Sequence, residues 1–484
     1  MEALTAAELA RACGAVLVRG PAEAVVERVC TDSRQARPGD LFVALRGERA
    51  DGHDFVGEAA ARGARAVLVR HDRAGSLPEG GFAVLASDEP LEALQRLAAW
   101  YRRRLSCPVV AVTGSVGKTT TKEMAAEALA ALGPVVRAPA SYNNEVGLPL
   151  TILMADAGTR ALVLEMGMRG PGQIRHLAGL AAPTVGVVTN VGESHVGLLG
   201  SLEAIARAKG ELVESLPPGG TAVLNADDER VRAMAARAPA GVRVLTFGER
   251  AGDVRAERVE GGGLSGTRFE LVYGGRRVPC RLAVPGRHLA VNAAAAAAAA
   301  LAVGVDLEDA ARGLEGFRPA AMRMEVVRTA DDLIVINDAY NASPVSMRAA
   351  LETLQRIAAE QRRRSVAVLG DMLELGALAP EAHRGIGREA ARRGVDLLVA
   401  VGALAGEVAA GAREAAAGSE MVIVQAADAA QAAAAARRHV RPGDVVLVKA
   451  SRAVGLDRVA QAILEQHPPA GPAPDGAGDE GGPR

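Results

Sequence analysis

Thr113-Gly114-Ser115-Val116-Gly117-Lys118-Thr119-Thr120 holds the residue types needed to grip a chain of phosphates. Two glycines let backbone N–H groups turn inward around phosphate oxygens, and a following helix N-terminus would add its dipole. Lys118 would neutralise the terminal phosphates, and a hydroxyl from Thr119 or Thr120 would ligate Mg²⁺. The common P-loop places four residues between its glycines. Here only Ser115 and Val116 separate them, and Val112 occupies the earlier glycine position. A tight strand-to-helix turn would account for the glycines but not for the Lys-Thr-Thr after them, so nucleotide binding is the better reading.

Further polar groups fall at the ends of apolar runs. Glu165 closes Ala-Leu-Val-Leu-Glu, where a carboxylate is costly unless paired or bound to a cation such as Mg²⁺. On its own, a solvent-facing glutamate explains it equally well. Asn190, Glu193 and His195 come after the run Thr-Val-Gly-Val-Val. A lone loop histidine is more often incidental than a ligand, but three strand ends delivering polar groups to one edge favour a shared site. Lys209, among alanine and glycine on a helical pattern, reads by itself as a solvated lysine.

These groups need elements that bring them together. PVVAVTG, ALVLEMG and TVGVVTN are continuous apolar runs, as parallel strands buried on both faces require. Ligands of such sheets bind beyond the carboxyl ends of the strands, where the polar groups fall. With 484 residues the chain exceeds one core and suits three domains of about 150 residues. The pattern divides it into an α/β unit at 1–105, a P-loop parallel-sheet unit at 106–318 and a Rossmann-like unit at 319–467. A Pro/Gly/Asp-rich tail occupies 468–484, with the composition of disorder. TRFELVYGGRRVPCRLAV alternates around a Gly-Gly pair and predicts a hairpin.

Composition excludes several classes. Aromatic residues make up 2%, which removes the stacking platforms of single-strand nucleic-acid binding. Lys+Arg number 56 against 57 Asp+Glu, so no basic excess calls for a polyanion. Cys13, Cys30, Cys107 and Cys280 form no C-x-x-C pair and predict reduced thiols in a cytoplasmic protein. The N-terminus reads as an amphipathic helix rather than a signal peptide. The alanine-rich run at 290–305 predicts a buried helix rather than a membrane span.

The motifs, in order, resemble the Mur ligases of bacterial cell-wall synthesis, whose shortened P-loop also has two residues between its glycines. TDSRQARPGDLFVALRGERADGHDF, SYNNEVGLPLTIL, LEMGMRGPGQI, TNVGESHVGLLGS, AKGE, PGRHLAVNAAAA, RMEVV and INDAYNASPVSM carry the resemblance along nearly the whole chain. NDAYNASP and LGDMLELG are most similar to the branch that joins D-alanyl-D-alanine to UDP-MurNAc-tripeptide. The D-N-P-R motif of the branch adding the third residue is absent.

The resemblance implies ATP and Mg²⁺, the latter as two ions, and an acyl-phosphate intermediate. It gives Thr113 to Thr120 the ATP phosphates, and gives Thr119 or Thr120, Glu165 and His195 the metal. Lys209 matches a lysine that reacts with CO₂ to become a carbamate, an anion able to ligate a second Mg²⁺. Asn292 would contact adenine, Arg323 the γ-phosphate and Asp338 the ribose. Asn143 and Asn144 would line the channel for the peptide carboxylate, with Tyr340 and Asn341 facing substrate. Ser33, Arg34 and His53 would lie near the uridine. Lys118, Glu165, His195, Lys209 and Arg323 form the implied catalytic set, in a monomer whose C-terminal domain closes onto ATP. The run Ala-Ser-Tyr before the paired asparagines departs from the Gly-Asn-Leu of some relatives. A P-loop regulator that makes no bond would leave the first and last motifs without a purpose. A folate-type glutamate ligase would not need the N-terminal UDP-type unit.

Overall fold

The computed structural model describes residues 1–470 apart from Arg49, Ala140, Gly262, Ala417 and Ser419. Residues 471–484 of the predicted tail, and Ala140 of the variant Ala-Ser-Tyr run, lie outside the described residues.

Three α/β units succeed one another, each around its own sheet. In the first, the strands lie in the order 16–19, 83–87, 66–70, 40–43 and 28–30, all parallel except the first pair. The amphipathic start is helix Ala6–Cys13. Thr5 and Glu8 close its N-terminus as a capping box, and Gly14 ends it in a left-handed turn at φ 67°. Helix Pro90–Arg102 leads out of this unit, carrying the single tryptophan, Trp100. Its buried Tyr101 hydroxyl accepts from Glu2 N–H and donates to the Ala155 carbonyl, tying the first unit to the second.

The second sheet has nine strands, in the order 276–282, 267–273, 254–261, 243–248, 221–225, 185–188, 109–113, 161–165 and 135–137. From 254–261 to 135–137 the pairings are parallel. Strands 109–113 and 161–165 are buried at every residue, which is why they read as unbroken apolar runs. The predicted hairpin pairs 267–273 with 276–282 and turns at Gly274 and Gly275, φ 57° and 81°. Helix His288–Ala302 packs against helix Lys118–Ala128, which begins at the end of the P-loop. Residues Ala293 to Ala300 are 0% exposed, so the alanine run is a core helix. Among the described residues no helix is long and apolar enough to cross a membrane.

The third sheet runs 325–328, 334–337, 445–449, 365–370, 397–401, 422–426, parallel apart from the first pair. Residues 468–470 of the segment predicted as tail pack against the third unit. Thr329 bridges Pro469, and Ala470 N–H donates to the Arg328 carbonyl. All four cysteines are free and buried.

Candidate active site

The central and C-terminal sheets turn the carboxyl ends of their strands toward one cleft of about 1220 Å³. On the central side the P-loop leaves strand Val109–Thr113. Gly114 has φ 149°, and a Cβ there would stand 1.8 Å from Thr189 Oγ1. Gly117 has φ 84°, and its Cβ would meet Asn292 Oδ1 at 2.9 Å. Both glycines are therefore required by the neighbouring loop and helix as well as by their own backbone.

Asn190 clasps the loop from the next strand end. Its Oδ1 accepts from Val116 N–H at 2.9 Å, and its Nδ2 donates to the Val116 carbonyl at 2.9 Å. Ser115 Oγ accepts from Gly192 N–H. Lys118 curls back to donate to the Gly114 and Ser115 carbonyls at 2.8 and 3.3 Å. Burial pushes its ammonium pKa down; Glu165 opposes that shift and Arg323 adds to it.

Of the two candidate hydroxyls, Thr119 Oγ1 donates to Glu165 Oε2 at 2.7 Å, while Thr120 lines the cleft. Asn143 Nδ2 donates to the other oxygen, Oε1, at 2.8 Å. Glu165 is 1% exposed, so the solvent-facing alternative for this glutamate does not hold. Thr119 and Glu165 suit Mg²⁺, which takes one or two protein oxygens and completes its shell with phosphate and water. Among the described residues no cluster of three or more His, Cys, Asp or Glu forms a preassembled metal cage. Asn144 Oδ1 caps helix Gly147–Ile152 by accepting from Gly147 N–H, and the residue lines the same cleft.

His195 sits at φ 67° with its Nδ1 2.5 Å from Glu374 Oε2 of the C-terminal unit. Burial lowers its pKa, Glu374 opposes the shift, and Lys118 and Lys209 reinforce it. Glu193 is half-buried in the same loop, its carbonyl accepting from Val196 N–H. Lys209 corrects the solvated reading that its sequence neighbours suggest. It is 1% exposed, and its amine makes no hydrogen bond or ion pair with another described residue. Its pKa falls well below the lysine value, through burial first and the nearby Lys118 second.

Four groups predicted for the third unit arrive from the opposite wall. The Arg323 guanidinium stacks 4.0 Å from the Tyr340 ring centroid. The Tyr340 hydroxyl in turn touches Ser141 Oγ across the cleft. Asp338 pairs through Oδ2 with Lys449 Nζ at 2.5 Å, and its Oδ1 accepts from Met324 N–H. Asn341 accepts Lys449 Nζ at its carbonyl. Asn292, on the central side, also lines the cleft.

Sequence reasoning passed over Lys449, Glu374 and His288. Lys449 ends an apolar strand as Glu165 does, and that shared position was the available signal. His288 lines the cleft, its pKa lowered by burial, with Asp338 opposing and Lys449 reinforcing.

The residues expected near a uridine stay apart from this cleft, in the first unit. Ser33 Oγ donates to Glu58 Oε2 at 2.6 Å, and Arg34 lies exposed against Asp32. His53 is 5% exposed, its Nδ1 2.5 Å from Asp51 Oδ1 and its Nε2 accepting from Arg70 N–H. Both of its ring nitrogens are thus used within the unit, as is the Ser33 hydroxyl on a 7% exposed residue, which leaves Arg34 the most accessible of the three.

A three-unit α/β protein with a P-loop facing a cationic wall across a cleft has the architecture of an ATP-dependent ligase. Residues 25–102 match the Mur ligase family catalytic domain, 112–300 the Mur ligase middle domain and 322–452 the Mur ligase glutamate ligase domain. The chain belongs to the Mur ligase family. It is 42% identical over 434 residues to UDP-N-acetylmuramoyl-tripeptide–D-alanyl-D-alanine ligase of Mycobacterium tuberculosis (strain ATCC 25618 / H37Rv), covering 82% of this chain and 83% of that one. It superposes on a crystal structure of MurF from Acinetobacter baumannii with a TM-score of 0.84 and 32% identity, over 96% and 99% of the two chains. The MurF ligase of Thermotoga maritima in complex with ADP gives 0.76 and 30%, over 91% and 98%.

Proposed function

We propose that this chain joins D-alanyl-D-alanine to UDP-MurNAc-tripeptide at the expense of ATP, giving the pentapeptide precursor of peptidoglycan. The observation that carries the reading is the single cleft in which the phosphate loop faces Arg323, Asp338 and Lys449 from the other unit. Relatives named for this reaction match along most of the chain.

A carboxylate does not react with an amine until it is activated. Here the tripeptide carboxylate, already anionic, attacks the γ-phosphorus of ATP and ADP leaves. Catalysis of this half is positioning and charge neutralisation. The loop N–H groups and Lys118 hold the phosphates, and release of Lys118 from the Gly114 and Ser115 carbonyls frees its ammonium for them. Arg323, stacked on Tyr340, approaches from the facing wall, and Asn143 and Asn144 border the carboxylate's path. The amine of D-alanyl-D-alanine then adds to the acyl phosphate, and the tetrahedral intermediate expels phosphate. Arrival of Arg323 and Asp338 from a separate unit lets closure exclude water from the labile acyl phosphate.

Thr119 and Glu165 would hold Mg²⁺, with His195 beside them; the ion supplies charge neutralisation at the transferring phosphoryl group. Burial of Lys209 pushes its pKa down and so favours the uncharged amine, the form that reacts with CO₂. Its carbamate would serve a second ion and turn repulsion from Lys118 into attraction. We place the uridine end at Ser33 and Arg34, Asn292 at the adenine and Asp338 at the ribose. The protein acts as a cytoplasmic monomer.

The test is phosphate release from ATP with UDP-MurNAc-tripeptide, with and without D-alanyl-D-alanine. Release that needs both, with a product mass equal to their condensation, is expected. Release indifferent to both would leave a nucleotide hydrolase, and release with a single amino acid would move the chain to another Mur branch.

A further inference from the structure

A second constellation lies where the central and C-terminal units touch. Gly197 N–H donates to the Glu374 carbonyl at 3.0 Å. A Cβ on Gly197 would stand 2.6 Å from Gly376 N, and one on Gly376 would stand 2.8 Å from Gly197 Cα. The two backbones therefore meet with no side chain between them.

Beside this seam Glu374 faces His195, and both are non-glycine residues at positive φ, 63° and 67°. Such conformations are sparsely populated and persist where the surroundings over-determine them, often at functional sites. The loop bearing Glu374 is held from behind. Met372 N–H donates to His383 Nε2 at 2.9 Å, Leu373 N–H to Ser451 Oγ at 2.9 Å, and Ser451 N–H to the Asp371 carbonyl at 3.0 Å. Glu374 is thus presented to His195 from a rigid mount.

On the receiving side, His195 Nδ1 is sealed from solvent and makes no aligned hydrogen bond among the described residues. Glu374 Oε2 lies 2.5 Å from it, so a small turn of the ring or the carboxylate is what would complete the bond. The histidine side chain as a whole is 22% exposed and lines the ATP cleft. The open edge of the ring is therefore the one that carries Nε2.

We propose that Glu374 is a positioning residue. When the C-terminal unit docks, Glu374 fixes the proton of His195 on Nδ1 and turns the Nε2 lone pair toward the phosphate site. Docking of the unit and preparation of the site are then one event, because the carboxylate that orients the ring arrives with the unit that closes the cleft. A hydrogen bond on one ring nitrogen sets the tautomer and direction of the other. The kinetic part of the test rests on the ligase reading; the spectroscopic part does not.

Two variants separate orientation from mere latching. Glu374→Gln keeps the length and an accepting oxygen. Glu374→Asn shortens the reach while tolerating the left-handed backbone. Long-range ¹H–¹⁵N spectra of ring-labelled histidine are expected to show His195 protonated on Nδ1 in the wild type and in Glu374→Gln, and on Nε2 in Glu374→Asn. In steady-state phosphate release, Glu374→Asn should lower kcat about 10- to 100-fold with little change in the KM for ATP. Glu374→Gln should recover most of that loss. In a His195→Ala background Glu374→Asn should cost nothing further, because its effect passes through the ring.

An unchanged tautomer in Glu374→Asn, or losses that multiply with those of His195→Ala, would overturn the proposal. A wild type that does not turn over both substrates would sink the ligase reading, while the tautomer would still decide the role of Glu374.

Discussion

Lys209→Met exchanges a buried amine for an apolar side chain of similar length, and the surroundings set the sign of the effect. Lys209 is 1% exposed with no paired carboxylate among the described residues, and its pKa lies well below that of free lysine. In the unfolded chain the same group titrates near about 10.4. Between the folded and unfolded values the unfolded chain binds one more proton, so the lysine's contribution to stability rises with pH. The slope is at most about 1.4 kcal/mol per pH unit, and below the folded pKa the contribution is a constant penalty. The difference between wild type and Lys209→Met isolates that contribution. In CO₂-free buffer the variant should melt higher at neutral pH. For a unit of roughly 200 residues the gap should narrow by up to about 3–6 °C per pH unit as alkali is added. Bicarbonate should raise the melting temperature of the wild type alone, since CO₂ captures the neutral amine and the resulting anion is attracted to Lys118. Scanning fluorimetry across pH, with and without ¹³C-bicarbonate, reads the first effect. A carbamate carbon signal absent from the variant reads the second, and the variant should also lose phosphate release. A variant that melts lower by the same margin at every pH, with no carbamate signal in the wild type, would refute the reasoning. It would mean that the amine is protonated and paired.

Glu165→Gln keeps one accepting oxygen and places an NH₂ at the other, from which the Thr119 hydroxyl can accept while Asn143 still donates to the oxygen, so the charge goes but the fold should survive. The Mg²⁺ needed for half-maximal phosphate release should rise by about 10- to 100-fold, read by metal titration. Asp338→Asn leaves Lys449, 2% exposed, without its counter-ion. About 3 kcal/mol of stability should go with it, seen as a lower melting temperature of the C-terminal unit together with a raised KM for ATP. Tyr340→Phe removes the contact with Ser141 but keeps the ring beneath Arg323, and should cost the closed form about 1 kcal/mol. Tyr340→Ala also loses the stacked guanidinium, so interdomain distances measured with nucleotide analogue bound should widen more than in Tyr340→Phe.

The parallel sheets could be read from the chain because strands buried on both faces leave unbroken apolar runs, as at 109–113, 161–165 and 445–449. Short or half-exposed strands such as 25–26 and 135–137 carry no such run. The P-loop was legible because its chemistry is local. Lys209 was not: its neighbours in sequence are small, and only tertiary packing decides whether small residues beside a lysine face water or a core. Lys449 and Glu374 escaped for a related reason. Their partners, Asp338 and His195, lie 111 and 179 positions away, and no periodicity links such distances. His53 shows a different limit of local reading. A histidine within a strong motif invites a ligand role, yet backbone and Asp51 contacts occupy its ring.

The alanine helix has a consequence for nucleotide choice. Asn292 and Lys118 stand on two helices that pack against each other, and a Cβ on Gly117, the residue before Lys118, would stand 2.9 Å from Asn292 Oδ1, so the loop and that side chain are closely spaced. On the proposed assignment of Asn292 to the base and Lys118 to the phosphates, the pair acts as a caliper between them. Ala293 to Ala300 are 0% exposed, so a larger residue there would overpack the core and disturb that spacing. Drift in sequence should therefore be slowest along a stretch that looks, residue by residue, the least distinctive in the chain. An inhibitor that spans both jaws would meet a site with little room to escape by mutation.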